Sequence, residues 1–385
     1  MRDTSNFRTK TSFIKRKNVK AEGVWEIAID IGYSAVKLFS PNIVARFPYY
    51  AKRIDDSFTY AGEAPTSSIL YRDLETGQMW LVGEKAQDIM SASDTSDSEA
   101  TIYPRERYYS EMYRVLTNTG LGIGLMSNEY GSRGNDKLVV QTGLPEGYMD
   151  DKEKITNSLA GHHRFALKIA NGSWQQFDFE LPLENIFVMS QPKGTLFSVC
   201  MNTNGTFHAN AKKYLSSSVI VFDPGFGTLD IFPILKGTVG HGETYQDLGM
   251  KRVLQETSRL IKENFKVDIP VPAMQKYLST GKVRYVDKKS FPFVSKEYEF
   301  GDLLADASSK ICQEAIMRMT GAIELDDYNY MIVTGGTGAA WFNQIKDIFK
   351  DFTTLEVIQG SQNDDLPFVF SNVRGYYYYR YNKLK

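Results

Sequence analysis

Cysteine is nearly absent. Cys200 and Cys312 are the only two in 385 residues, far apart and in no CxxC or Cys/His pattern. That argues against a disulfide scaffold and a structural zinc site, and fits a reducing compartment. No uninterrupted apolar stretch approaches the ~18 residues of a membrane span, and no apolar leader marks the start. The expectation is a cytoplasmic protein with no membrane partner. Charge of one sign is also missing: the net value is −1, so no overall field draws the chain to nucleic acid. What is present is core-forming material, 42 % hydrophobic and 13 % aromatic residues, which excludes a disordered or fibrous chain. At roughly 100–200 residues per domain, the length predicts two domains.

The balanced charge hides an uneven distribution. Residues 1–20 hold seven Lys and Arg against the single acid Asp3. The segment is polar and shows neither helical nor strand periodicity, so residues 1–22 are expected to form a disordered basic tail. It is the only part of the chain with the charge to touch DNA directly. A second polar stretch, the acidic residues 91–99, reads as a solvated loop.

Strands appear where the chain turns sharply on glycine. Val24-Trp25-Glu26-Ile27-Ala28-Ile29-Asp30 runs into the turn Ile31-Gly32-Tyr33-Ser34, and Ala35-Val36-Lys37-Leu38-Phe39 returns, giving a hairpin. Another hairpin joins Ser218–Asp223 to Thr228–Phe232 through Pro224-Gly225-Phe226-Gly227. Lys137–Thr142 and Asn329–Thr334 read as buried strands. Helical spacing covers 107–116, 151–160, 246–265 and 301–320, and a further helix is expected from Ala339 to Phe349. The aromatic run 376–381 is expected in a terminal helix packed on its own domain, the alternative being a contact between subunits of a polymer.

The two hairpins echo each other. Residues 28–39 align without gaps on residues 221–232: apolar, apolar, Asp, any, Gly, aromatic, small, small, aliphatic, charged, aliphatic, Phe. Two related domains facing each other across a cleft, each offering one hairpin, would produce this repeat. A tight glycine turn lets backbone N–H groups converge on phosphate oxygens. Ser34 and Thr228 can add hydroxyl donors, and Lys37 a point charge. Asp30 and Asp223 are hard oxygen ligands that suit Mg2+, directly or through its waters. The run Gly335-Gly336-Thr337-Gly338, between a strand and a helix, would let a base or ribose approach the backbone.

In this order, the Asp30-x-Gly32 hairpin, the Asp223-x-Gly225-x-Gly227-Thr228 hairpin and Gly335-Gly336 resemble the phosphate-1, phosphate-2 and adenosine motifs of the actin, sugar-kinase and heat-shock-chaperone ATPase superfamily. Trp80-Leu81-Val82-Gly83-Glu84-Lys85-Ala86, Thr142-Gly143-Leu144-Pro145 and Ser371-Asn372-Val373-Arg374-Gly375-Tyr376 resemble segments of actin-like proteins of the ParM (StbA) type. The resemblance implies an α/β fold of two actin-like, ribonuclease-H-like domains with mixed five-stranded sheets around a nucleotide cleft. Residues 23–189 plus 366–385 would form domain I and 190–365 domain II.

It also implies a filament-forming protein that hydrolyses ATP (or GTP) with Mg2+ and segregates plasmid DNA through a DNA-bound adaptor. Asp30 and Asp223 would organise the metal. Gly32, Tyr33, Ser34 and Lys37 would meet phosphate from one side, and Gly225, Phe226, Gly227 and Thr228 from the other. Gly335, Gly336 and Thr337 would border the adenosine, with Lys251, on the helix after Leu248-Gly249, as a ribose or base contact. Gln191, in Val188-Met189-Ser190-Gln191-Pro192, resembles the residue that orients the attacking water. Pro224 lacks an N–H, so donors in its loop are expected from Gly225, Gly227 and Thr228. The alternative function is a small-molecule, sugar-type kinase on the same fold, which would need a carboxylate base at the crossover where Gln191 stands.

Overall fold

The computed structural model describes residues 3–90, 105–287, 289 and 291–385; the acidic stretch 91–99 lies outside them. Two sheets share one plan. In the first, β1 (Ser12–Lys15), β4 (Ile43–Pro48), β3 (Ala35–Phe39), β2 (Val24–Ile31), β8 (Lys137–Leu144) and β11 (Ile186–Ser190) lie in that spatial order. In the other, the order is β14 (Thr238–Val239), β13 (Leu229–Leu235), β12 (Val219–Pro224), β18 (Tyr330–Val333) and β19 (Glu356–Gln359), with β15 (Glu243–Tyr245) also on β13. The hairpin partners β2–β3 and β12–β13 are antiparallel, and β2–β8–β11 and β12–β18–β19 are parallel. The sequence repeat is thus a repeat of topology. Each sheet has the five expected strands plus one more, β1 on the first and β15 on the second.

A smaller five-stranded sheet, β10 (Gln175–Leu181), β9 (Gly161–Ile169), β6 (Ile69–Asp73), β7 (Met79–Val82) and β5 (Ala51–Ile54), extends the first lobe. The hairpin of β16 (Lys282–Asp287) and β17 (Val294–Glu299) extends the second. Among the described residues the longer helices are α2 (Glu111–Leu125), α6 (Met250–Phe265), α8 (Gly301–Ala322), α9 (Gly335–Ile348) and α10 (Ser371–Leu384). Shorter ones are α1 (Glu84–Asp88), α3 (Lys152–Leu159), α4 (Gln191–Cys200), α5 (Ala211–Ser216) and α7 (Val271–Leu278).

β2 and β12 are buried along nearly their whole length, as strands covered on both faces must be. On one face of the first sheet α2 approaches so closely that a Cβ at Gly120 would lie 2.8 Å from Ile29 Cδ1 and one at Gly124 2.9 Å from Ile27 Cδ1. On the other face lies α10, whose Tyr376, Tyr377 and Tyr378 are fully buried; the expected terminal helix is a core element. It crosses α4 with its backbone against that helix: a Cβ on Gly375 would fall 1.7 Å from Gly194 O. Arg374 is completely buried at this junction, with Nε donating to Asp364 Oδ2 at 2.9 Å and Nη2 to Met201 O at 2.9 Å.

Three expectations are corrected here. The basic N-terminal segment is ordered from Asp3 onward, because it adds β1 to the edge strand β4 and buries Thr4 and Asn18. Its cations are largely answered within the chain. Arg8 pairs with Asp88, Lys15 with Glu129, Arg16 with Asp364 and Lys20 with Asp136. The helix expected from Ala339 begins at Gly335, since its glycines are required for close approach and not for a loop. A Cβ on Gly338 would sit 3.1 Å from Val333 Cγ1, and one on Gly335 2.5 Å from Asp223 Oδ1. The predicted helix at 107–116 is a 3-10 turn over Arg105–Tyr109 followed by α2, which Ser110 caps by accepting a hydrogen bond from the Tyr113 amide.

Candidate functional site

The turns of the two hairpins line one cleft. Gly32 N donates to Ala35 O at 3.0 Å in one turn and Gly225 N to Thr228 O at 2.7 Å in the other. These bonds close the bends, so the amides of Gly32 and Gly225 are committed to the turns. This corrects the expectation that the Gly225 amide would be a phosphate donor. The tips touch: a Cβ on Gly227 would come within 3.1 Å of the Tyr33 ring. Between and behind the tips lies a cleft enclosing about 1160 Å3, open mouth included. Asp30, Gly32, Tyr33, Ser34, Lys37, Gln191, Asp223, Gly225, Phe226, Gly227, Thr228, Gly335, Gly336 and Thr337 all line it.

Lys251 does not. The amides of Met250 and Lys251 donate to Gly225 O and Phe226 O, at 3.1 and 2.8 Å, and turn the start of α6 into the second hairpin. Successive side chains on a helix point about 100° apart, and Met250 is the one that faces the cleft.

Cross-strand pairing sets the electrostatics. In the first hairpin Asp30 stands opposite Lys37, and Lys37 Nζ donates to Asp30 Oδ2 at 2.8 Å. In the second, Asp223 stands opposite Asp230, a like-charge pair that disfavours double ionisation. Burial pushes the Asp223 carboxyl up to about 6; the Asn372 amide and Lys37 draw it back, and Asp30 adds to the rise. Burial, then the neighbouring Asp223, pushes Asp230 up to about 7, against hydrogen bonds from Thr244 and Thr228.

Asn372 fixes the direction of Asp223. Its carbonyl oxygen accepts from Thr195 Oγ1 and Thr334 Oγ1, which leaves the amide to donate to Asp223 Oδ2 at 2.7 Å. Gln191 is the first residue of α4, directly after β11. Its Nε2 donates to Asp30 Oδ1 at 3.4 Å. Thr337 Oγ1 donates to Gly225 O at 2.7 Å, tying α9 to the second hairpin.

Sequence reasoning missed Asn372, Asp230 and Arg107 as site residues. Arg107 is buried on the cleft wall, with Nη2 donating to Ile31 O at 2.7 Å and its guanidinium 4.2 Å from the Tyr33 ring centroid. It thereby holds the first turn in place. Asp230 had a signal, since it occupies the charged position of the repeat that Lys37 fills in the first copy.

The donor set suits a magnesium nucleotide. Two buried carboxylates, one from each hairpin, converge on a cleft whose bends carry glycine. Mg2+ is commonly held by one or two carboxylates and completes its shell with phosphate oxygens and water. Among the described residues no group of three or more His, Cys, Asp and Glu could hold a metal by protein ligands alone, so a bound cation would need such outside oxygens.

The sheets and the cleft together make an actin-like fold. Residues 28–194 match the family profile described as "Actin like proteins N terminal domain". A solved structure described as a non-polymerisable quadruple mutant of pCBH ParM has the same fold, with TM-score 0.69 and 20 % identity over 93 % of this chain and 99 % of that one. A subunit of a 15-stranded ParM filament from Clostridium botulinum matches with TM-score 0.68 and 18 % identity over 94 % of this chain and 99 % of that one. An archaeal actin homologue, Ta0583, solved as a complex with ADP, matches with TM-score 0.58 and 16 % identity over 91 % of this chain and 97 % of that one. No curated protein matches the sequence. No described helix is long and apolar enough to cross a membrane.

Proposed function

We propose that the chain is a nucleotide-driven filament protein that binds magnesium ATP in the cleft, hydrolyses it after assembly, and serves plasmid segregation through a DNA-bound adaptor. The observation that carries this reading is the convergence of Asp30 and Asp223, from two topologically equivalent hairpins, on one cleft. The likeness in fold to a ParM filament subunit supports assembly, and the archaeal homologue's complex with ADP supports a nucleotide as ligand. Residues 23–189 with 366–385 would act as one lobe and 190–365 as the other.

A bound magnesium nucleotide supplies the phosphoanhydride and the cation that neutralises charge at the transferred phosphoryl group. Lys37 places a cation beside Asp30, and the two bends line the part of the cleft where phosphates would sit. Asn372 holds Asp223 at a fixed angle. Gln191 cannot serve as a strong base; its amide, beside Asp30, orients water for in-line attack. Gln191→Ala is therefore expected to slow phosphate release about 100-fold while nucleotide affinity changes by no more than about threefold. Single-turnover release and equilibrium binding check this, and equal release by variant and wild type would refute the role.

Assembly is tested by light scattering. A rise that requires both Mg2+ and ATP is expected, with no acceleration of ADP formation by added sugars or other hydroxyl acceptors. Acceptor-dependent ADP formation without a scattering rise would instead identify a small-molecule kinase.

A further inference from the structure

The N-terminal segment starts from the first lobe and ends on the second. β1 runs antiparallel to β4 at the sheet edge, pairing Ser12 with Arg46 through Lys15 with Ile43. Moving back toward the terminus, Thr11 N donates to Glu84 Oε2 at 2.9 Å. Arg8 Nη2 reaches Asp88 Oδ1 at 2.5 Å and Glu84 Oε1 at 3.6 Å. These contacts hold the segment to α1 of the first lobe.

From there the chain runs along the cleft to the second lobe. Thr9 N donates to Gln275 Oε1 at 3.1 Å and Thr4 Oγ1 to Leu278 O at 2.7 Å, both on α7 of the second lobe. Phe7 packs on that lobe's apolar core. Between these anchors, Asn6, Phe7, Arg8 and Thr9 line the same cleft as Asp30, Lys37 and Asp223. The Arg8 side chain is 9 % exposed, and its Nε is buried without a hydrogen-bond partner, an expensive state for a charged group unless a further acceptor arrives.

We propose that residues 4–11 are a third component of the nucleotide site, a strap that spans the two lobes over the bound nucleotide and sets how long it stays. The proposal rests on the nucleotide reading of the cleft. A ligand seated behind the strap leaves only when the Thr4 and Thr9 contacts with α7 break, or when Arg8 releases α1. Closure of the lobes and retention of nucleotide are coupled through one short segment, and the unpaired Nε of Arg8 offers a donor to an anionic ligand inside. The ends of the strap are held by side chain to backbone and backbone to side chain bonds, which cost little to break singly and more together.

The test is stopped-flow release of a fluorescent N-methylanthraniloyl ATP analogue, loaded with Mg2+ on the full chain and chased with excess ATP. Deleting residues 1–10 and, separately, Arg8→Ala are each expected to speed release about tenfold or more, with the association rate changed less. The charge reversal Arg8→Asp is expected to do the same, and adding Asp88→Arg to restore slow release in part, which isolates the pair. Circular dichroism melting confirms that the point variants are folded. Unchanged release from a folded Arg8→Ala and from the charge-reversed chain would overturn the strap. If the unmodified chain bound no analogue at all, the nucleotide reading itself would fall, and the strap with it.

Discussion

Asp30→Asn and Asp223→Asn, made separately, are each expected to lower affinity for magnesium ATP at least about 100-fold, close to 2.7 kcal/mol, while the chain stays folded. Asparagine fills nearly the same volume as aspartate. At position 223 its amide oxygen can still accept from Asn372, so the packing that orients the residue survives. What would be lost is one of the two carboxylates proposed to hold Mg2+, a cation that binds oxygen donors and little else. At position 30 the change also strips Lys37 of its carboxylate partner, leaving an uncompensated cation in the cleft. Calorimetric titration alongside thermal unfolding separates the two effects. Affinity within a few fold of the unmodified chain in both variants would remove these carboxylates from the metal site.

The second large effect concerns the junction beneath the cleft. Gly375→Ala is expected to destabilise the fold by about 3 kcal/mol or more, lowering the unfolding temperature by about 4 °C or more. The new Cβ would lie 1.7 Å from Gly194 O, a backbone atom with no rotamer to change. Gly194 has no room to give, since its own Cα side already faces the Tyr376 ring. α4 and α10 would have to separate, and these helices carry Gln191 and Asn372. Any folded fraction is thus expected to hydrolyse nucleotide poorly. Differential scanning calorimetry checks the stability loss, and an unchanged transition would show that the helices do not cross this closely.

Legibility in the sequence followed distance along the chain. The two hairpins could be read because their chemistry is local: an aspartate, a glycine two residues on and a short return strand define the bend whatever surrounds it. Their repetition then pointed to two equivalent lobes. Gln191 entered through the resemblance of Val188–Pro192 to a crossover segment, and it lines the cleft beside Asp30. Asn372 could not, because its role arises from a partner 149 positions away.

The N-terminal strap was hidden for the same reason. Its polar sequence has no period, and its order comes from β1 pairing with an exposed strand edge and from Thr4 reaching a carbonyl 274 positions on. The start of α9 was misplaced because glycines that normally interrupt a helix are demanded here by Asp223 and Pro224 pressing against them. Lys251 was misplaced because the direction of a helix's first turn depends on what its amides bond.

The central claim is that one cation and one nucleotide phosphate chain are gripped jointly by both bends. Titrating ATP into the full chain in a calorimeter, once with Mg2+ and once with Mg2+ chelated, tests it most directly. Saturable binding of one nucleotide per chain, weakened at least tenfold by chelation, is the predicted result. Binding of equal strength in both titrations, or no heat in either at millimolar ligand, would contradict it.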